Sequence, residues 1–168
     1  MRRHYMIESG TLGELENAVA ADLREVFRGK YFYNTLGNRV PLRVYTHAAP
    51  IRAGEDDLPA DDDLPEPCII VSLENGSQSD EESGHNVSVL LDMYVADGDP
   101  DHSGHIDLLN MISTVIGRYG RRHDIERRYT ISKPFEWALS PEDLSPIYRG
   151  AMRISVTVPA VSCEDPLA

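Results

Sequence analysis

Cysteine is scarce in this chain: two residues of 168, Cys68 and Cys163. They lie far apart and form no C-x-x-C pair, which points to buried or free thiols in a reducing compartment. No run of 18 apolar residues occurs, so nothing reads as a membrane span. The first ten residues, MRRHYMIESG, carry two arginines but no apolar stretch behind them, which excludes a secretory signal pattern. Nucleophile and phosphate motifs are missing as well: there is no GxSxG, no Walker A loop, no GxGxxG and no HExxH. Positive charge is in deficit, with 16 Lys and Arg against 28 Asp and Glu, a net charge of −12. That balance disfavours a dedicated nucleic-acid binder, which needs a basic surface to neutralise phosphates, and equally an anionic membrane surface.

What remains is ordinary for a soluble globular chain: 41% hydrophobic and 26% charged residues. The length suits one domain, 1–168, able to bury a full core without staples. Residues 1–8 and 162–168 are expected to fray. The charge is unevenly placed. Seven of the twelve residues from Glu55 to Glu66 are acidic: Glu55, Asp56, Asp57, Asp61, Asp62, Asp63 and Glu66. A second acidic group is Asp80, Glu81 and Glu82. Base collects at Arg118, Arg121, Arg122, Arg127, Arg128 and Lys133. Separated patches of opposite sign can join copies of one chain head to tail, although each can equally be a solvated face.

Periodicity predicts the elements. Thr11 and Glu14 form a capping box, and Leu12, Leu15, Val19, Leu23, Val26 and Phe27 share a helical face, with Gly29 as a stop. Val40, Leu42 and Val44 alternate with polar neighbours over 39–51, a strand in which Pro41 marks an edge or a start. Residues 52–66 read as a solvated acidic loop. The apolar run 67–73 reads as a central strand covered on both faces. Residues 86–97 form a long strand, with Val87, Val89, Leu91, Met93 and Val95 on one side, and the two strands suggest an antiparallel hairpin. A second helix follows Asp101 or Ser103, its buried stripe Ile106, Leu109, Ile112, Val115, Ile116 and Tyr119, flanked by Leu108 and Met111. Strands at 128–140 and 147–161 close the chain. The order predicts an α+β fold: a mostly antiparallel β-sheet with two α-helices packed on one face.

Candidate chemistry is thin. The acids of 55–66 are adjacent, interrupted by prolines and lack the glycine of a calcium loop. His102 and His105 stand three apart with no third ligand at a metal spacing. Cys68 opens an apolar strand and reads as a core thiol. Phe135 and Trp137 alternate with Glu136 and read as core aromatics. The basic stretch RYGRRHDIERRY reads as a helix end followed by an exposed linker. No catalytic residue, cofactor or metal site is expected.

The segments PCIIVSLENG, VSVLLDMYVAD, GHIDLLNMI and W-x-L followed by Y-x-G resemble the small tail terminator, or tail completion, proteins of siphovirus-type phages and prophages. The residues that carry the likeness are Gly104, Asp107, Leu108, Leu109, Asn110 and Ile112 in the second helix, then Trp137, Leu139, Tyr148, Gly150 and Pro159. It spans roughly residues 65–161 and leaves the acidic run 54–66 outside. The resemblance implies a structural protein without enzymatic activity. Such a protein forms a ring, usually a hexamer, that caps the tail tube, stops its polymerisation and presents a surface to the head–tail connector. The implied partners are further copies of the chain, the tail tube protein and the connector, with no membrane and no sequence-specific nucleic acid. The implied location is the host cytoplasm during assembly and then the virion tail. Two other readings stay open: a head–tail connector or neck adaptor protein, and a small metal-dependent enzyme.

Overall fold

The computed structural model describes residues 12–49, 65–80, 83–97, 104–141 and 146–160. Helix α1 spans Leu12–Val26, and Leu15, Ala18, Val19, Ala20 and Leu23 face inward at the spacing of successive turns. Gly29 follows at φ +75°, a left-handed position that a Cβ would strain, and it turns the chain out of the helix. The next segment, YFYNTLGNRVP, holds no expected element before residue 39, where the expected strand begins. It forms a two-stranded antiparallel sheet of β1 (Tyr31–Tyr33) and β2 (Arg39–Pro41). The side chain of buried Asn34 accepts hydrogen bonds from the N–H groups of Leu36 and Asn38, each at 3.0 Å, and so shapes the turn between them.

The single strand expected at 39–51 is therefore divided. Strand β3 is only Arg43–Thr46, and it pairs parallel with β4 (Cys68–Ser77). The main sheet has six strands in the order β3-β4-β5-β8-β7-β6. Strand β5 is His85–Ala96, β6 is Asp124–Ile125, β7 is Tyr129–Leu139 and β8 is Ile147–Val158. Every neighbouring pair other than β3 with β4 is antiparallel. Strand β4 is thus one position from the sheet edge, and only one of its faces is sealed: Ile69 and Val71 are buried while Ile70 and Ser72 are half-buried.

Helix α2 is Gly104–Arg121. Gly104 lies against Tyr148, where an added Cβ would sit 2.7 Å from the ring. The buried stripe of α2 is Leu108, Met111, Ile112, Val115 and Tyr119, rotated from the one the sequence suggested. Ile106 is exposed, and Leu109 and Ile116 are half-buried. Both helices lie on one face of the sheet. Their inward residues form one cluster with Ile69, Val71, Val87, Val89, Leu91, Met93, Val95, Met152, Ile154 and Val156. The architecture is α+β, as expected, with a mostly antiparallel sheet. Among the described residues, no helix is long and apolar enough to cross a membrane.

The aromatic pair of β7 departs from expectation. Trp137 is 49% exposed and Phe135 half-buried, so Trp137 is not a core residue. The register explains it. Ser132 lies opposite Ser155 but Glu136 lies opposite Arg153, so β7 carries two more residues than β8 between those pairs. Beyond this irregularity Trp137 and Leu139 lie opposite Met152 and Gly150 and are only partly covered.

Candidate functional surfaces

The sheet face turned away from the helices is polar and cross-braced. Glu74 is the extra residue of a bulge in β4 between the pairs at Leu73 and Asn75. Arg153 on β8 donates to both its carboxylate oxygens, at 2.5 and 2.9 Å, and the Ser88 hydroxyl on β5 donates at 3.0 Å. Glu136 on β7 lies 3.6 Å from the same guanidinium. The bond from Arg153 holds the Glu74 carboxyl below the usual carboxylate range. Further along, Arg149 donates to Asp92 at 3.2 Å and lies over the Tyr94 ring. At the end of this face Cys68 is buried and free, and burial, with Glu66 and Asp92 nearby, pushes its thiol up to about 12. A thiol so raised is protonated at neutral pH and a poor nucleophile, in line with its reading as a core group.

Arg118, Arg122 and Arg128, from the end of α2 into the turn after β6, each sit in an ion pair. Arg118 is mostly covered and donates to Asp22 of α1 at 2.7 Å. Arg122 bonds Asp124 at 3.2 Å and holds that carboxyl below its usual range. Arg128 pairs with Glu126 at 2.5 Å and reaches Glu14 at 3.7 Å. Arg121 and Arg127 are exposed. Between the C-terminal ends of the two helices lies an open cleft of about 580 Å³, lined in part by Lys30, Thr114, Arg118, Arg121 and Arg122. Lys30 comes from the turn after α1, 88 positions before Arg118 (118 − 30), and no spacing in the sequence joins it to the others. Cations at helix C-termini also complement the helix dipoles.

The acidic candidates divide. Glu55, Asp56, Asp57, Asp61, Asp62, Asp63, Glu81 and Glu82 lie outside the described residues. Asp80 is exposed and accepts from the Ser83 N–H at 2.7 Å. Glu66 is corrected: it is 3% exposed, and the Thr35 hydroxyl donates to its carboxylate. It serves the packing of β1–β2 against β4 and does not belong to an outer acidic surface, because Pro67 and Cys68 beside it are already inside the fold.

His105 is exposed at the start of α2 with its ring 6.4 Å from that of Tyr148 on β8, while His102 lies outside the described residues. Among the described residues no three His, Cys, Asp or Glu side chains converge as a metal ligand set. The feature that sequence reasoning missed is the outer edge of β7, unpaired past Ile131 among the described residues, where Trp137 and Leu139 are both exposed. No protein-family model matches the chain, and no curated protein matches it.

Proposed function

We propose that this chain is a structural tail terminator of a siphovirus-type phage or prophage, which assembles into a ring, of six copies by resemblance, that caps the tail tube and meets the head–tail connector. The observation that carries the reading beyond resemblance is the segregation of charge. A chain of net charge −12 gathers Lys30, Arg118, Arg121 and Arg122 around one cleft, while six acids, Glu55, Asp56, Asp57, Asp61, Asp62 and Asp63, stand close together in the sequence. Stretches of opposite charge suit head-to-tail contacts, the kind that close into rings. The braced polar sheet face suits a wall exposed to water. In this reading the acids at 55–63 and 80–82 line the lumen or meet the tube. A negative lumen would let DNA pass without sticking.

The test is sedimentation of the purified chain alone and with tail tube protein, followed by electron microscopy of particles that lack it. Rings, together with overlong or headless tails in the mutant, support the proposal. A strict monomer under every condition removes it. Filled heads without tails would instead favour the neck-adaptor reading.

A further inference from the structure

The two edges of the main sheet differ. Parallel pairing of β3 with β4 directs the N–H groups of Arg43 and His47 inward, to Pro67 and Val71. The carbonyls of Val44 and Thr46 therefore point outward, and both are taken. Arg24 of α1 donates to Val44 at 2.7 and 3.2 Å, and the N–H of Ala48 donates to Thr46 at 2.8 Å. Those two outward carbonyls are therefore not free to accept from another strand. Among the described residues the opposite edge is covered only at its beginning, where β6 pairs with Tyr129 and Thr130 and the N–H of Ile131 reaches the carbonyl of His123 at 2.6 Å. Past the Lys133–Pro134 irregularity it opens. The N–H of Ser140 bonds Arg149, so Glu136 and Ala138 turn their backbone groups toward β8 while Trp137 and Leu139 turn theirs outward.

We infer that the open edge of β7 pairs antiparallel, across a two-fold axis, with the same edge of a second copy. With the outward carbonyls of β3 taken, strand addition between copies uses β7 against β7 and stops at two. Centring the pairing on Trp137 places it opposite itself and Phe135 opposite Leu139 of the second copy. Trp137 and Leu139 lie on the face of Met152 and Gly150, so the contact joins the two exposed apolar side chains of each copy, with half-buried Phe135 packed on the core beside them. Glu136 then faces Ala138, and no like charges oppose. Centring on Glu136 would set two carboxylates against each other and turn the outward backbone groups out of register. Exposed edges of this kind are templates for strand addition unless blunted, and here Lys133 and Pro134 blunt only the first part. This pairing does not depend on the ring reading: it cannot propagate a ring, whose contacts would use the charged patches.

The pairing geometry can be read by cross-linking in a Cys163→Ser background. Directly opposite residues in hydrogen-bonded pairs have Cα atoms about 5.5 Å apart and in the other pairs about 4.5 Å, inside the roughly 4.4–6.8 Å window of disulfides. Trp137→Cys alone should form a covalent dimer on mild oxidation. Glu136→Cys and Ala138→Cys should cross-link readily with each other when mixed, and at least about tenfold more slowly alone, where the diagonal is about 7–8 Å. In sedimentation, Trp137→Lys should weaken dimerisation at least about tenfold, one such step being 1.4 kcal/mol, with an unchanged circular dichroism spectrum and a melting temperature lowered only as far as the lost dimer accounts for. A wild-type monomer at all concentrations, cross-linking without this register preference, or a Trp137 needed only for binding a different protein would each overturn the inference. An oligomer untouched by Trp137→Lys but dissolved by salt would overturn it while leaving the ring reading in place.

Discussion

Arg153 grips Glu74 with two nitrogens, at 2.5 and 2.9 Å, across the intervening strand β5. A two-pronged bond of this kind fixes geometry as well as charge. It ties β8 to β4 over Ser88 and holds the bulge of β4 in place.

The pH dependence of stability should carry its mark. The Glu74 carboxyl is depressed when folded, chiefly by its bond to Arg153. Its contribution is therefore present above the ordinary glutamate value of about 4.5 and is lost as pH falls below it. Glu74→Gln should lower stability at neutral pH and flatten the acid limb of a denaturation series. An acid limb identical to that of the wild type would contradict this.

Arg118 and Asp22 join α2 to α1 from opposite sides of a mostly covered contact, their side chains 18% and 16% exposed. Arg118→Ala leaves the Asp22 carboxylate without its cation in a partly dry site. The expected loss is about 1–3 kcal/mol in urea unfolding, with part of it recovered when Asp22→Asn is added. Additive losses from the two changes would show that the pair is not coupled.

Cys68 should be silent toward an aromatic disulfide reagent at pH 8 in the folded Cys163→Ser chain and react at once on unfolding. Its thiol is raised from 9.0 to about 12 by burial. With the folded value above the unfolded one, its contribution is complete below pH 9 and fades as pH rises toward 12. Cys68→Ala should therefore lessen the alkaline fall in stability, read by melting curves between those limits.

Between β6 and β7 the chain turns through Glu126 and Arg127, at φ +51° and +57°, closed by a bond from the Arg128 N–H to the Ile125 carbonyl at 3.1 Å. Turns with two left-handed positions favour Gly and Asn. Arg127→Gly should raise stability by about 0.5–1 kcal/mol, the relief of left-handed strain less the added entropy of an unfolded glycine. Chemical denaturation measures it, and a loss of stability would show that the Arg127 side chain makes a contact worth more than the strain.

Much of the fold was legible locally. The period-two pattern of β5 places Val87, Val89, Leu91, Met93 and Val95 inward, and all five are buried. The apolar spacing of both helices, and the stop at Gly29, announce themselves because a helix face repeats within a few residues. The strand 39–51 misled because the alternation of Val40, Leu42 and Val44 continues across a change of partner: β2 pairs with β1 and β3 with β4. Nothing local marks that switch. The stripe of α2 was misjudged for a related reason. Ile106 and Leu108 are both apolar, and only the position of the sheet decides that Leu108 is covered while Ile106 stays in water.

The candidate surfaces divide in the same manner. Charge is written in the sequence, so the acidic and basic runs were plain from the start. Their neighbours were not. Glu66 ends an acidic run yet is buried beside Thr35, and Lys30 joins a cleft with arginines from a distant helix.

By itself the sequence determined the α+β class, the inward residues of β5 and the uneven placement of charge, because composition and local period act within a few residues. Tertiary structure alone decided that β3 runs parallel to β4 with its outward carbonyls taken, that Glu66 is inside, and that Trp137 stands on an open edge. Those depend on which strands become neighbours, and a strand's own residues read the same whether its flank is paired or bare.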